Sequence, residues 1–246
     1  MITVYDTTLR DGLQREGASL TVEDKLRIVK RLDALGIPLI EGGFPASNAK
    51  ETEFFARLGS LKLEQARIVA FGSTRRKGIP VEDDEGLAAL LACGCTIADI
   101  VGKTHALHVE QTLETTCAEN LAMVSESVAY LVSHGMTVHF SAEHYFDGFI
   151  YDEDYACAVI AAAADAGASL LILCDTNGGN LPGIITDVVS KTRRFLDSIG
   201  HEDIALCMHA HDDTGCAVAN SLLATQAGAT YIMGTINGYG ERVGNA

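Results

Sequence analysis

Short apolar runs alternate with amphipathic stretches along the whole chain. Eight of the runs are rich in leucine or β-branched residues, a composition typical of buried β-strands. The predicted strands are Ile2–Tyr5, Leu39–Gly42, Arg67–Phe71, Ile97–Val101, Thr137–Ser141, Leu170–Cys174, Ile204–His209 and Tyr231–Gly234.

The stretches between these runs have the periodicity of helices. Thr21–Asp24 resembles a capping box, and apolar residues then recur at helical spacing as far as Leu32. The same spacing recurs at Leu121, Val124, Val128 and Leu131, and over Val159–Ala166, Ile184–Ile199 and Val218–Ala227.

This alternation of strand and helix predicts a parallel sheet with right-handed crossovers. A chain of 246 residues is close to the length of about 250 residues that an α/β barrel needs. We therefore predict an α/β fold, a (β/α)8 TIM barrel in which the first strand pairs with the last. An open doubly wound sheet is the alternative, but no glycine-rich nucleotide fingerprint follows the first predicted strand.

No linker, charge block or low-complexity segment divides the chain, so residues 1–246 are predicted to form a single catalytic barrel domain. The eighth strand is followed by Thr235–Ala246, a glycine-rich loop without a helical pattern. We expect the barrel to lack its last outer helix and to leave apolar surface open on its first and last strands. The chain is therefore expected to be part of something longer.

Composition bears on several classes of partner. The net charge of −15 argues against non-specific binding to nucleic acid. No apolar stretch reaches the roughly 18 residues that a membrane span requires, so no membrane partner is expected. No export-type segment precedes Asp6, and the seven cysteines, including Cys93 and Cys95, are expected to be free thiols in a reducing cytoplasm.

Polar residues concentrate where the predicted strands end. In an α/β barrel these positions belong to the loops that form the reactive face, so their clustering predicts an enzyme. The clusters are Arg10-Asp11, Glu41, Ser73–Lys77, Lys103, Glu143-His144, Asp175–Asn177, His209–Asp213 and Asn237–Asn245.

A metal site is predicted from Asp11 and the pair His209 and His211. The two histidines are two positions apart, so on a strand they point the same way, and barrel closure brings Asp11 near them. Two imidazoles and one or two oxygens suit Zn²⁺, Mn²⁺, Co²⁺ or, less comfortably, Mg²⁺, and leave positions open for substrate oxygens. The alternative is a pair of structural histidines satisfied by hydrogen bonds.

Two basic features have both a chemical and a structural interpretation. Arg10 is expected to bind a substrate carboxylate or a developing oxyanion, and the alternative is a salt bridge to Asp11 or Glu41. Arg75-Arg76-Lys77 would suit the phosphates of a nucleotide-like cofactor, but an ordinary solvated loop is the simpler interpretation.

Two further side chains are candidates for contact with a substrate. Glu143 ends a mostly apolar run, Val138–Ala142, where desolvation would suit it to proton transfer; the alternative is a structural carboxylate. Thr176 offers a hydroxyl to a substrate carboxylate, although turn formation over Asp175–Gly179 explains it almost as well.

Three motifs resemble those of a known family. Asp6–Gln14 (DTTLRDGLQ), His209–Gly215 (HAHDDTG) and Gly238–Ala246 (GYGERVGNA) are similar to the signatures of the metal-dependent enzymes that condense an acyl-CoA with a 2-oxoacid. These are the 2-isopropylmalate, homocitrate and citramalate synthases, in the superfamily that contains hydroxymethylglutaryl-CoA lyase. The segments most like the citramalate synthases are Phe71–Gly78, Ala142–Gly148 and Leu173–Gly179.

The resemblance implies an acyltransferase in which the acyl group becomes an alkyl group on transfer. Acetyl-CoA would be the co-substrate, pyruvate the 2-oxoacid and citramalate, for isoleucine biosynthesis, the product. One divalent metal ion would chelate the 2-oxoacid, and thioester hydrolysis would drive the reaction. A homodimer is also expected, and longer members of the family continue into a lid-like subdomain and often a regulatory domain.

The same resemblance implies roles for individual residues. The predicted metal ligands are Asp11, His209 and His211, with Asn245 completing or supporting the shell. Arg10 and Glu143 would be the catalytic residues, neutralising the keto oxygen or enolate and transferring the proton respectively. The predicted substrate-binding residues are Arg10, Gln14 and Thr176.

Two positions depart from the family pattern. Asp212 stands where asparagine is usual and is expected to add negative charge beside the metal histidines, and Val243 stands where threonine is usual. The alternatives are 2-isopropylmalate or homocitrate synthesis, cleavage by a lyase or aldolase, and a non-catalytic barrel fragment or subunit. The ending Gly240–Ala246 resembles the synthases more closely than the lyases.

Overall fold

The computed structural model describes every residue from Met1 to Ala246. A closed barrel of parallel strands forms its centre, in which each strand pairs with the next and the last pairs with the first. The strands are β1 (Thr3–Asp6), β2 (Leu39–Gly43), β3 (Arg67–Ser73), β4 (Ile97–Lys103), β5 (Thr137–Glu143), β6 (Leu170–Asp175), β7 (Ala205–Ala210) and β8 (Tyr231–Gly234).

Helices surround this barrel, and at least one of them follows each strand from β1 to β7. They are α1 (Val22–Ala34), α2 (Ala49–Leu58), α3 (Glu85–Ala92), α4 (Ala106–Gln111), α5 (Cys117–Ser133), α6 (Tyr145–Tyr151), α7 (Glu153–Asp165), α8 (Pro182–Ser198) and α9 (Ala217–Gln226). The predicted (β/α)8 barrel is confirmed. The open-sheet alternative is wrong, because β1 and β8 pair along the register from Thr3–Tyr231 to Asp6–Gly234. No helix is long and apolar enough to cross a lipid bilayer.

The local sequence signals are clear at some helices and weak at others. The capping box that begins α1 is confirmed, because Thr21 and Asp24 each accept a hydrogen bond from the other's backbone N–H. By contrast, α2, α3, α4 and α6 are absent from the sequence prediction. The sequence of α3 is almost uniformly apolar and that of α6 is rich in aromatic residues, so neither displays the helical period on which the prediction depends.

Three strands extend two residues further toward the mouth of the barrel than the sequence predicts: β3 to Ser73, β4 to Lys103 and β5 to Glu143. The polar residues at their ends were expected to belong to loops. Instead they continue the strand ladder, and Lys103 and Glu143 are register neighbours on β4 and β5. The sheet itself therefore fixes the positions of these two side chains.

Two apolar cores lie on opposite sides of the sheet. The larger contains 45 buried residues between the strands and the helices, and the smaller contains 9 buried residues inside the barrel. Leu39, Ile97 and Cys207 belong to the inner core. Two positions further along the same strands, the buried side chains are the polar residues Glu41, Asp99 and His209. Apolar packing therefore closes the amino-terminal end of the barrel, and polar groups occupy the carboxyl-terminal end.

Part of the outer surface of the barrel is not covered by a helix. After β8 the residues as far as Ala246 form a 3₁₀ turn over Ile236–Gly238 and no further α-helix. Val4 on β1 is 48% exposed, and Val218 and Leu222 on α9 are 63% and 57% exposed. The expectation of open apolar surface is met on β1, whereas no residue of β8 is exposed. That the chain is part of something longer stays a prediction.

Candidate metal centre and reactive face

Asp11, His209 and His211 converge at the mouth of the barrel. Asp11 lies in the loop after β1, His209 is in β7, and His211 directly follows β7. Because β8 pairs with both β1 and β7, barrel closure joins the two ends of the chain. Asp11 Oδ2 lies 3.1 Å from His209 Nε2 and 3.5 Å from His211 Nε2. The three side chains are buried, and their ligand atoms lie within 4.8 Å of one another.

The electrostatics of this cluster favour the forms that bind a cation. Burial raises the pKa of Asp11, but the hydrogen bond to His209 and the positive charge of Arg10 outweigh burial, so the pKa falls below its usual range. Burial lowers the pKa of His211 to about 4, with a further contribution from His209. At neutral pH the site therefore holds a carboxylate and a neutral His211 imidazole, which are the protonation states that metal coordination requires.

Asn245 returns to the cluster from the last loop of the chain. It forms an isolated antiparallel bridge with His211, and its Nδ2 donates to Asp11 Oδ2 at 3.0 Å. Gly244 makes this approach possible, because its φ is +105° and a Cβ there would lie 1.9 Å from the Gly238 carbonyl oxygen. Asn245 Oδ1 is buried and has no hydrogen-bond partner. The side chain thus supports Asp11 and also offers an unused oxygen.

The residues present fit a divalent metal ion. Two imidazole nitrogens face one carboxylate oxygen, and the amide of Asn245 lies against the same carboxylate. Imidazole and carboxylate are ligands that Zn²⁺ and other divalent transition metals accept, and a site with only a few protein ligands keeps positions open for substrate. The chemistry of the donor set and the unused oxygen of Asn245 both support a metal site at this position.

Arg10 lies beside this candidate metal site, and contacts inside the barrel hold its side chain in place. Its Nε donates to Glu41 Oε2 at 2.6 Å, and its guanidinium carbon lies 4.2 Å from the centre of the Phe71 ring. Its Nη1 lies 3.7 Å from Asp11 Oδ1, beyond hydrogen-bonding distance. The salt bridge to Glu41, which is the structural alternative from the sequence analysis, is present. It occupies only Nε and leaves the terminal nitrogens of Arg10 for another ligand.

Glu143 lies at the same end of the barrel, with surroundings that differ from the prediction. Its side chain is 28% exposed and forms an ion pair with Lys103. Val138, Phe140 and Ala142 belong to the outer core, so the intervening positions of β5 point into the barrel. The expectation of a desolvated, apolar environment is therefore wrong: the apolar residues of this run face the helices, while Glu143 faces a charged partner.

A cavity adjoins Glu143. It has a volume of about 430 Å³, and both Lys103 and Glu143 line it together with the segment from Ser73 to Lys77. Arg75 in this segment is buried and paired with Glu119 and Glu126 at 2.7 and 2.6 Å. The expectation of a solvated loop is therefore wrong at Arg75, which is held by two carboxylates; Arg76 is exposed, as expected.

The two remaining predicted substrate-binding residues lie outside the metal cluster. Thr176 Oγ1 accepts a hydrogen bond from the His144 backbone N–H at 2.8 Å, and the Thr176 carbonyl accepts from Arg242 at 2.8 Å. The Thr176 hydroxyl hydrogen remains free to donate to a ligand. Gln14 is exposed at the end of a 3₁₀ turn that begins at Gly12, and its side chain makes no hydrogen bond within the protein.

The two departures from the family pattern have local structural consequences. Asp212 Oδ1 accepts a hydrogen bond from the Ala217 backbone N–H at 2.8 Å, so this carboxylate caps the start of α9. Asp212 thus has a capping contact, and its effect on the neighbouring histidines stays a prediction. Val243 is 63% exposed, so the side chain that stands in place of the usual threonine lies in solvent.

The barrel interior contains polar residues that the sequence prediction overlooked. Asp99 and Tyr5 are completely buried close to Glu41, below Arg10. The available signal was a single carboxylate within the apolar segment Ile97–Val101, two positions from an inner-core residue. A charged residue at an inward position of a strand is rarely placed there for packing alone.

The fold and this arrangement of side chains define an α/β-barrel protein with a candidate divalent-metal site at its reactive face. The HMGL-like family matches residues 1–246, and the chain belongs to that family. The chain is 56% identical over 245 residues to the (R)-citramalate synthase of Synechocystis sp., covering 99% of this chain and 45% of that protein. It is 50% identical over 244 residues to the (R)-citramalate synthase of Streptomyces coelicolor, with coverage of 99% and 45%.

Other relatives share the whole length of the chain at lower identity. The 2-isopropylmalate synthase of Methanocaldococcus jannaschii is 36% identical over 245 residues, covering 100% of this chain and 44% of that protein. The chain thus spans about half the length of the curated relatives it matches.

Solved structures confirm the barrel. The HMG-CoA lyase of Bacillus subtilis matches with a TM-score of 0.76 at 21% identity, covering 100% of this chain and 82% of that one. The hydroxymethylglutaryl-CoA lyase of Pseudomonas aeruginosa matches with a TM-score of 0.78 at 20% identity, with coverage of 97% and 77%. At such low identity the likeness establishes the fold alone.

Proposed function

We propose that this chain is the catalytic barrel of an acyltransferase that condenses acetyl-CoA with pyruvate to give citramalate. The observation that carries the proposal is the convergence of Asp11, His209 and His211 beside Arg10, in a chain up to 56% identical to citramalate synthases. A divalent metal, a homodimer and a cytoplasmic location are parts of the same proposal.

A bound divalent ion would supply Lewis acidity, polarising the keto group of a 2-oxoacid held by its keto and carboxylate oxygens. Asp11, His209 and His211 would hold it, with Asn245 supporting Asp11. The hydrogen bond from Asn245 Nδ2 fixes the orientation of the Asp11 carboxylate, and such outer contacts contribute substantially to metal affinity.

Arg10 would provide the positive charge for the reacting oxygens. Because Glu41 and Phe71 fix the guanidinium, its terminal nitrogens are directed without a large loss of side-chain entropy. Charge-assisted hydrogen bonds from a fixed guanidinium stabilise developing negative charge more strongly than neutral donors do. Thr176 would donate a hydrogen bond from its free hydroxyl to the carboxylate of the 2-oxoacid.

Glu143 would remove the proton from the methyl group of acetyl-CoA. Its Oε2 is paired with Lys103, and Glu143 lines the adjoining cavity. The ion pair fixes the side chain and leaves one carboxylate oxygen free. That oxygen would accept the proton from the methyl carbon of acetyl-CoA, the carbon that then attacks the keto group. The cavity beside it would admit the acetyl thioester.

The identities favour pyruvate over the larger 2-oxoacids. Citramalate synthases match at 42–56% identity, whereas 2-isopropylmalate synthases match at 35–36%. We expect pyruvate to give the highest kcat/KM in a panel that includes 2-oxoisovalerate and 2-oxoglutarate, with the full-length gene product, acetyl-CoA and Mn²⁺. Release of free CoA and mass spectrometry of the products are the measurements. A preference for 2-oxoisovalerate would assign 2-isopropylmalate synthesis instead, and cleavage of citramalyl-CoA without condensation would assign a lyase.

A further inference from the structure

A pair of buried carboxyl groups lies inside the barrel beneath Arg10. Asp99 is in the middle of β4 and Glu41 is in β2, and both side chains are completely buried. Both side chains point into the barrel, where the negative charge of Glu41 acts on Asp99, and Ser141 Oγ donates a hydrogen bond to Asp99 Oδ2 at 2.8 Å. Glu41 anchors Arg10, so the state of this pair bears on the reactive face.

Each carboxyl group has one oxygen that lacks a defined donor. Glu41 Oε2 accepts hydrogen bonds from Arg10 Nε and Thr7 Oγ1, while Glu41 Oε1 has no donor. Asp99 Oδ1 has none either. Two ionised carboxylates cannot donate to each other, they repel, and a buried acceptor without a donor is costly. A single proton between the two groups removes both defects.

The surroundings decide which carboxyl group carries that proton. Glu41 contacts a cation, Arg10, whereas Asp99 receives its only other hydrogen bond from the neutral hydroxyl of Ser141. Burial raises the pKa of Asp99 well above its usual value, and the negative charge of Glu41 raises it further. The ionisable groups that face Asp99 from the strands and loops around it are Tyr5, Arg10, Glu41, His139, Cys174 and Cys207. Burial lowers the pKa of His139, the register neighbour of Asp99 on β5, to about 4, so this imidazole is neutral at pH 7. Arg10 is the one cation among them, and Glu41 already pairs with it.

We propose that Asp99 is a protonated carboxylic acid at neutral pH and donates a hydrogen bond to Glu41, holding Glu41 in the orientation that fixes Arg10. Asp99 is thus a positioning residue, because it acts on Arg10 through Glu41. The protonation state is inferred from the complete burial of the two carboxyl groups and from their two oxygens without donors. Only its effect on turnover rests on the proposed condensation, so the two are tested separately.

The arrangement has a direct consequence for Arg10. With Asp99 neutral, Glu41 and Arg10 form a charge-balanced pair, and the terminal nitrogens of Arg10 stay directed toward the mouth of the barrel. With Asp99 ionised, two buried carboxylates would compete for one guanidinium below the site. An asparagine at this position would keep a neutral donor, since its Nδ2 can take the place of the acid's O–H group.

Infrared difference spectroscopy tests the protonation state directly. We expect the spectrum of wild type minus Asp99→Asn at pH 7 to contain the C=O stretching band of a carboxylic acid, which shifts in D₂O. The control is Asp33→Asn, because Asp33 accepts hydrogen bonds from three backbone N–H groups and its pKa lies below the usual value. Apart from the amide bands of the new asparagine, its difference spectrum should contain carboxylate bands and no carboxylic acid band. Carboxylate bands alone for Asp99→Asn would overturn the proposal.

Two further measurements keep the proposal testable if Asp99→Asn folds poorly. In wild-type protein labelled with ¹³C at the aspartate carboxyl carbons, one resonance should remain at the protonated position at pH 8; full ionisation of every aspartate by that pH would contradict the proposal. Kinetically, Asp99→Asn should keep kcat/KM close to wild type, while Asp99→Ala lowers it by roughly tenfold or more, because Glu41 loses a donor. Equal losses in both variants at equal thermal stability would exclude a neutral-donor role, whereas wild-type-like turnover in Asp99→Ala would exclude positioning.

Discussion

Replacing Glu143 with glutamine lowers the turnover of acetyl-CoA condensation by roughly 10²–10⁴-fold and leaves metal content unchanged. The substitution keeps the size and shape of the side chain but removes its ability to accept a proton. Glu143 lies on β5 at the cavity and is not part of the Asp11, His209 and His211 cluster, so metal binding should persist. Steady-state release of CoA and elemental analysis of the same preparation are the measurements.

The control for this prediction is Glu110→Gln, since Glu110 is an exposed residue at the end of α4 with no ion pair. It should leave turnover unchanged. A structural role for Glu143 would give a different result: the ion pair with Lys103 would be lost, and the melting temperature would fall in step with activity. A Glu143→Gln variant with wild-type turnover would remove Glu143 from the reaction altogether.

Replacing His211 with alanine weakens binding of the divalent ion by tens to hundreds of times. Loss of a metal ligand costs at least as much affinity as loss of an outer hydrogen-bonding partner, which is about 10–100-fold. His211 is buried, and its Nε2 lies 3.5 Å from Asp11 Oδ2, the same carboxylate oxygen that His209 Nε2 approaches. Isothermal titration of metal-free protein with Mn²⁺ and Zn²⁺ measures the change.

The matched control is His134→Ala, because His134 is exposed at the end of α5 and bonds only to Tyr130 and Ser133. Its metal affinity should equal that of wild type. Unchanged metal content in both His209→Ala and His211→Ala would contradict the assignment of this cluster as the metal site and would support two structural histidines instead.

The sequence was sufficient to predict that Asp11, His209 and His211 meet at one candidate metal site. Asp11 follows the first apolar run and His209 ends the seventh, and a closed parallel barrel places such positions at one end. The spacing of His209 and His211 then specifies a common direction along a strand. The convergence of these three residues can be predicted without knowledge of side-chain packing, because it follows from the period of a strand and the topology of the barrel.

Other features depend on strand register and orientation, which the sequence does not specify on its own. The ion pair of Lys103 with Glu143 exists because β4 and β5 pair in one particular register. The apolar neighbours of Glu143 along β5 point outward to the helices. The hydrophobic composition of this segment therefore wrongly predicts an apolar environment for the Glu143 carboxylate. Asp99 on β4 and Glu41 on β2 are both buried inside the barrel, and the sequence alone does not show that these two positions share its interior.

The central claim is that this chain carries a metal-dependent condensation. The most direct test uses the full-length gene product, depleted of metal with a chelator and then supplied with acetyl-CoA and pyruvate. We expect no release of free CoA above the rate of spontaneous hydrolysis until Mn²⁺, Co²⁺, Zn²⁺ or Mg²⁺ is restored, and then citramalate equal in amount to the CoA released. Condensation at the full rate by metal-free protein would contradict the account, as would CoA release without citramalate after the metal is restored.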